Sequence, residues 1–248
     1  MTFPGLSNSE LTTLSEQEPN WEVQQIRYGN GRHPIITIDN FSPHAGDLLT
    51  DCQAQNFQRH GPYYPGVQAY APTKYLAPHR QSLGYVLSRA FGYGEVKTEM
   101  EMCMYSYVTT PPAELMPLQR YPHYDGGHPR KVALLHYLCG ADQGGTQFYR
   151  HDRTGYETVF PERQSNYMQA RRYDSKAYGL RRPAYFKDTE HGFTRLKQVK
   201  ARFNRAILYP SCTLHSGELG SSPKFTTRQD TGRLTVNTFF VPAWSSNF

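Results

Sequence analysis

The sequence predicts a mainly β fold, an antiparallel sandwich or open barrel buttressed by two helices, and three observations predict it. Tyr and Phe number 19 and 13 while only 19% of residues are charged, a composition that suits strands better than helical bundles. The 20 Gly and 18 Pro cut the chain into short segments. Two segments of helical period come early, and short strands follow them at intervals to the end.

Met1 to Asn20, rich in Ser, Thr, Glu and Asn, reads as a flexible or loosely docked N-terminal arm, and residues 21–248 read as one domain. Pro34 to Phe41 is a strand closed by Asp39-Asn40. Ser42-Pro43 then supplies a cap and a first-turn proline for a helix from His44 to Gln58. Gly61 to Pro78, crowded with Pro, Gly and Tyr, is a long irregular stretch. Leu83, Val86, Leu87, Ala90 and Phe91 restore helical spacing, and Gly92 stops it. Strands follow at Thr98–Thr109, Val132–Leu138, Gly145–Tyr149, Ala206–Tyr209 and Arg233–Val241. Residues 150–205 are too long for a hairpin loop and are expected to be an insertion with its own helix near Glu162 to Leu180.

Four widely spaced cysteines (Cys52, Cys103, Cys139, Cys212) contain no C-x-x-C and read as buried, reduced thiols. No apolar run reaches the roughly 20 residues of a membrane span. Met1 to Asn20 carries neither a basic start nor an apolar stretch of a secretory leader, so a cytoplasmic protein is expected.

The chemistry centres on His123-Tyr124-Asp125 and on His215 within Leu208-Tyr-Pro-Ser-Cys-Thr-Leu-His-Ser-Gly217. Ten histidines give about one chance triplet with Asp or Glu two residues on, so the context carries the weight. On a strand, residues i and i+2 share a face, which lets His123 and Asp125 reach one ion while Tyr124 points away. With His215 from another strand they form a facial set that leaves positions open for co-substrate and dioxygen. His128, His136, Asp142 and His151 are read as non-ligands, and Trp21 and Trp244 as packing residues.

In this order the motifs resemble the Fe(II)- and 2-oxoglutarate-dependent dioxygenase superfamily, especially its prolyl-4-hydroxylase-like branch. Ile36-Thr-Ile-Asp-Asn-Phe41 before a helix is similar to that branch's entry strand. Ala133-Leu-Leu-His-Tyr-Leu138 with Gly144-Gly-Thr-Gln-Phe-Tyr149 resembles the strand and turn after H-x-D, and His215-Ser-Gly with Arg233-Leu-Thr-Val-Asn-Thr-Phe-Phe240 resembles the closing strands. The likeness covers roughly residues 34–149 and 203–242. It implies a double-stranded β-helix of the jelly-roll or cupin-like kind. It also implies His123, Asp125 and His215 as ligands of Fe(II), and Arg233 as the partner of the distal carboxylate of 2-oxoglutarate, a role that suits a bidentate guanidinium. Tyr137 would be a second partner of the same carboxylate, Thr235 would support the arginine, and Tyr107 would lie near the co-substrate's metal end. Arg233 lies 18 residues after His215, against about ten in the family. The segment Gly220–Gly232 reads as a lengthened hairpin loop, and Arg228 within it is the alternative arginine.

The activity implied is O2-dependent hydroxylation of an unactivated C–H in a small-molecule or peptide/protein substrate, releasing succinate and CO2. Retention of Asp125 speaks against halogenation. The alternatives are a non-catalytic cupin-like binding protein and an iron oxygenase that does not use 2-oxoglutarate. The net charge of +6 is concentrated in residues 150–205, which hold 14 Lys/Arg against 6 Asp/Glu. That segment favours an anionic substrate or a lid over the site, and no nucleic-acid-binding module accompanies it.

Overall fold

In the computed structural model, which describes residues 3–243, the chain begins with helix α1 (Asn8–Gln17), strands β1 (Glu22–Tyr28) and β2 (His33–Asp39), and helix α2 (Ala45–Gln53). Strand β3 (Gly66–Tyr70), a 3-10 stretch at Thr73–His79, helix α3 (Arg80–Phe91) and strand β4 (Thr98–Val108) follow. The second half runs β5 (Val132–Tyr137), β6 (Gly145–His151), α4 (Pro161–Tyr178), β7 (Phe193–Lys200), β8 (Arg205–Pro210), β9 (His215–Glu218) and β10 (Leu234–Pro242).

One antiparallel sheet has the order β1-β2-β8-β5-β10-β4-β3, and a smaller one has the order β7-β6-β9. A single rung between His123 and His215 adds the segment around His123 to the outer edge of β9. From β4 onward the chain passes back and forth between the two sheets except at β6 and β7, which are neighbours in the small one; β8-β5-β10-β4 lie in the large sheet and β7-β6-β9 plus the His123 segment in the small one. That connectivity is a double-stranded β-helix, a jelly roll made by two facing sheets.

Two cores follow. Between the sheets lie Tyr28, Ile35, Ala133, Tyr137, Phe148, Val199, Ile207 and Tyr209. On the other face of the large sheet, Leu48 and Cys52 of α2 and Leu83, Val86, Leu87, Ala90 and Phe91 of α3 pack on Ile36, Ile38, Leu134, Leu208 and Val236. Strand β2 is buried along its whole length, which accounts for apolar residues on both of its faces, at Ile35 on one and Ile36 and Ile38 on the other. Helix α3 ends at Gly92, whose φ of 74° is the left-handed conformation glycine adopts without strain.

Three expectations are corrected. The N-terminal segment is not a flexible arm over the described residues. Ser7 and Glu10 form a capping box that starts α1, and Phe3, Leu6 and Leu14 are buried against the helical core. The stretch from Gly61 to Pro78 is not wholly irregular, because β3 extends the large sheet there. The segment 150–205 is not all insertion: β7 pairs with β6 from Phe193 to Lys200, so what is inserted is residues 152–192 between two neighbouring strands. Its helix, α4, stands where the sequence places it.

Trp21 is a packing residue, its Nε1 donating to the Phe41 carbonyl (2.8 Å). Trp244 lies outside the described residues. All four cysteines are buried and unpaired. Among the described residues no helix is long and apolar enough to cross a membrane.

Candidate metal centre

His123 and Asp125 arrive on the loop between β4 and β5, and two sets of backbone bonds fix them. His123 and His215 exchange N–H···O bonds of 2.8 Å in both directions, and the Asp125 amide donates to the Ser211 carbonyl (2.8 Å). The extended backbone between them puts the His123 and Asp125 side chains on one face. Tyr124 points the other way, stacking edge-on to Tyr167 of α4 (6.1 Å) and accepting from Gln164 Nε2 (3.1 Å). The ligand loop is therefore anchored from behind by the inserted helix.

The result is a cluster whose candidate ligand atoms all lie within 4.8 Å of one another. His215 Nε2 is 3.3 Å from Asp125 Oδ2, and His123 Nε2 is 3.7 Å from Asp125 Oδ1. Ligands about 2.1 Å from one ion sit roughly 3 Å apart in a facial set, so small side-chain movements close the cluster around a cation. His215 Nδ1 lies 3.0 Å from the Thr213 carbonyl, which accepts its N–H hydrogen bond and leaves the Nε2 lone pair facing Asp125. Asp125 has no stronger partner than the two imidazoles. Burial alone would raise its pKa, but His215, His123 and Lys131 outweigh that and hold it below the usual carboxylate range.

The imidazoles are not alike. Burial disfavours the charged form of His215, yet the Asp125 carboxylate and the Thr213 carbonyl outweigh it and raise its pKa. His123 is shifted down, by its surroundings and by the facing His215 ring, although 54% of its side chain is open to solvent. A neutral imidazole, a second held near a carboxylate, and an ionised Asp suit a divalent cation with open coordination positions. Among the described residues this is the one such group of three. His136 instead bonds Asn204 (3.0 Å), and His151 is buried against Asp174.

From the triad the inner wall leads to Arg233. Tyr209 stands between them, its ring edge-on to His215 (5.0 Å). Burial pushes its hydroxyl well above the ordinary range, Asp125 adds to that and Arg233 opposes it. Tyr137 lies opposite Thr235 in the β5–β10 register, and its hydroxyl shares a 2.7 Å bond with Thr146. Thr235 is fully buried on the same face and donates to Asn237 Oδ1 (2.9 Å). Arg233 is 6% exposed, lies over the Tyr137 ring (5.8 Å) and donates from Nη2 to the Gly145 carbonyl (2.9 Å). Its Nε is buried without a partner, and among the described residues no carboxylate comes within ion-pair distance of it. Glu218 feels its charge but accepts from Gln198 instead (3.2 Å).

Two sequence expectations resolve against the structure. Arg228 is at the surface, paired with Asp230 (2.9 Å) and 73% exposed, so it is not the buried arginine of this wall. Tyr107 does not face the metal end. It packs on Phe57 (5.2 Å), with the Cys52 thiol 3.9 Å from its hydroxyl, in the layer between the large sheet and the helices. The inner face of β4 is presented by Ser106, which accepts from Gln68 (2.9 Å) and Asn237 (3.2 Å). Sequence reading missed Tyr209 and also Tyr64, whose hydroxyl is buried beside Arg233, Ser106 and Thr235. The Pro-Tyr-Tyr-Pro run at 62–65 was the available signal.

Among solved structures, the chain is similar to the non-haem α-ketoglutarate-dependent epimerase SnoN of nogalamycin biosynthesis, with 11% identity over 96% of this chain and 84% of that one and a TM-score of 0.49. It is also similar to HygX from Streptomyces hygroscopicus with nickel and 2-oxoglutarate bound (11% identity, 97% and 89% covered, TM-score 0.46). A prolyl-4-hydroxylase from Pseudomonas putida gives 12% identity, 95% and 100% coverage and a TM-score of 0.45. No curated protein matches the chain by sequence. The sequence pattern of one family spans residues 19–240, which take in every strand but the last two residues of β10 together with the triad and Arg233, and the chain belongs to that family, described as a family of unknown function (DUF6445).

Proposed function

We propose that the protein is an Fe(II)- and 2-oxoglutarate-dependent oxygenase, most simply a hydroxylase acting on a small molecule or a peptide or protein side chain. The observation that carries this reading is the pairing of an open two-histidine, one-carboxylate cluster with a buried arginine that has no acidic partner among the described residues, both on one inner wall. A lone buried guanidinium is costly unless an anion completes it. A dicarboxylic 2-oxo acid meets both ends of the wall, chelating at one and accepting a bidentate guanidinium at the other.

In this reading His123, Asp125 and His215 hold the ion, with the Thr213 carbonyl keeping His215 in the correct tautomer. Bound iron with its 2-oxo acid supplies the oxidising chemistry, with O2 consumed and succinate and CO2 released. Arg233 orients the co-acid, and Tyr137, fixed by Thr146, keeps the arginine's flat face covered. Phe148, Tyr28 and Ile35 form apolar walls that keep water from the inner end. Substrate reaches the centre past His123, the most exposed of the three ligands. Four unpaired buried thiols suit a reducing, cytoplasmic setting.

The test is succinate formation from 2-oxoglutarate with Fe(II) and O2, screened over metabolites and peptides with detection of a substrate gain of one oxygen. Turnover is expected to disappear in His123→Ala and Asp125→Ala, and Arg233→Ala is expected to raise the 2-oxoglutarate KM about 100-fold. No turnover by metal-loaded wild type across the panel favours a binding protein. Turnover that proceeds without 2-oxoglutarate favours an iron oxygenase with another reductant, and an unchanged 2-oxoglutarate KM in Arg233→Ala overturns the role given to the arginine.

A further inference from the structure

At the Arg233 end of the barrel two buried polar groups lack a well-formed hydrogen bond among the described residues, the second of them with only the Ser106 and Thr235 hydroxyls beside it. One is Arg233 Nε and the other is the Tyr64 hydroxyl. Tyr64 is placed back to front: its side chain is partly exposed while its oxygen is buried. Tyrosines ordinarily bury the ring and wet the hydroxyl.

The backbone explains the direction. Gly66 pairs with Val108, and the Val108 amide bonds the Arg233 carbonyl (3.4 Å), so residues 64–66, the end of β4 and the approach to β10 lie side by side. A Cβ on Gly66 would stand 1.9 Å from the Tyr107 carbonyl oxygen, so this close approach requires glycine. Gln68, two residues further on, points to the inner face, where it donates to Ser106. Tyr64 lies in the bend that leads into β3, where the Gly66 amide donates to its carbonyl (2.9 Å), and its hydroxyl comes to lie beside Ser106 and Thr235 of the inner face. The Arg233 charge accordingly opposes the effect of burial on the Tyr64 hydroxyl, and Ser106 and Thr235 adjoin it. A buried donor without an acceptor costs about 1–3 kcal/mol and is uncommon. Two neighbouring groups of this kind, one of them cationic, suit an acceptor with two oxygens, a carboxylate.

We infer that Tyr64 is a co-substrate-binding residue, its hydroxyl donating to the distal carboxylate that Arg233 grips. The inference rests on the 2-oxoglutarate reading above. It assigns part of co-substrate recognition to the 57–65 segment that leads into β3, so that segment both closes the wall and reads the acid.

Calorimetric titration of the full-length Ni2+-loaded protein tests it, with 2-oxoglutarate and with 2-oxobutanoate, a 2-oxo acid that lacks the distal carboxylate. Tyr64→Phe keeps the ring and is expected to weaken 2-oxoglutarate binding tenfold or more, with Ni2+ affinity and melting temperature unchanged. Binding of 2-oxobutanoate is expected to be the same in both proteins. Equal 2-oxoglutarate affinity in wild type and Tyr64→Phe overturns the assignment and leaves the oxygenase reading standing. Equal weakening for both acids also overturns it, since the hydroxyl then does not act at the distal end. Failure of Ni2+-loaded wild type to bind 2-oxoglutarate overturns the oxygenase reading, and the Tyr64 assignment with it.

Discussion

A strand residue's role depends on which face it takes, and on β4 one step of register separates the helical layer from the barrel interior. Tyr105 and Tyr107 face the helices, where the Tyr105 hydroxyl donates to the Leu48 carbonyl (3.0 Å), and Ser106 between them faces inward. Removing the Tyr107 hydroxyl severs only its distant thiol contact, so Tyr107→Phe is expected to change stability by less than about 1 kcal/mol. Its 2-oxoglutarate affinity is expected to stay within twofold of wild type. Ser106→Ala removes a smaller group but strands the Gln68 and Asn237 donors on the inner wall, and is expected to cost about 2 kcal/mol. Urea denaturation of both variants checks the contrast, and a larger loss for Tyr107→Phe would refute the facing. The facing was hard to read because β4 is buried on both faces from Cys103 to Val108, which erases the polar alternation that marks an outside. His123 and Asp125 were legible for the opposite reason: their two-residue spacing is informative whichever way the strand turns.

At the scale of elements, the inserted helix is held by a buried polar network. Asp174 of α4, 2% exposed, accepts from His151 Nε2 (2.5 Å) and Arg153 Nε (2.7 Å), and His151 Nδ1 takes the Thr154 hydroxyl (2.8 Å). Burial lowers the His151 pKa despite the neighbouring acid, so the ring is neutral in the folded state. For Asp174, burial is outweighed by Arg153 and His151, and its pKa is also lowered. Both folded values lie below the unfolded ones, so both groups add stability at neutral pH that is lost on acidification. The His151 share fades below about pH 6.5 and the Asp174 share below about pH 4. Asp174→Asn is expected to cost about 3 kcal/mol at pH 7 and to flatten the acid limb of the stability profile, measured by urea denaturation from pH 3 to 8. An acid limb of unchanged slope would exclude the network as its source. Helix α4 could be read from the sequence, since Pro161 and Gly179 bracket a run free of both. Strands β1 and β7 could not: Glu22-Val-Gln-Gln-Ile-Arg-Tyr28 and Phe193-Thr-Arg-Leu-Lys-Gln-Val-Lys200 are edge strands whose polar outer residues look like loop. The basic residues of the insertion are likewise partly consumed by the fold, with Arg171 over Tyr121 (4.4 Å) and Arg181 bonded to Glu190.

Over the whole molecule, the barrel depends on layers at its back. The large sheet is covered on one face by the small sheet and on the other by α2 and α3, and the N-terminal segment seals what those helices leave open. The Gly5 amide bonds the Ala90 carbonyl at the end of α3 (3.0 Å), and the Phe3 ring meets Phe91 edge-on (6.4 Å). Leu14 is fully buried, and Glu18 closes the turn after α1 by accepting from His79 (3.0 Å) and Ser82 (2.8 Å). The sequence hid this docking because α1 shows one buried side chain in ten residues, too few to set a helical period. Burial of that kind makes the segment a structural component of the fold, remote from the triad at the β9 edge. Leu14→Ala opens a cavity in the helical core and is expected to cost about 3 kcal/mol, lowering the melting temperature by several degrees. Ni2+ affinity of the folded protein is expected to stay at the wild-type value, because neither the His123–His215 rung nor the Thr213 carbonyl touches this layer. Thermal melts with and without Ni2+ read both quantities together. An unshifted melting temperature would mean the segment is only loosely docked, and a loss of metal affinity at unchanged stability would mean that the back of the sheet positions the ligands directly.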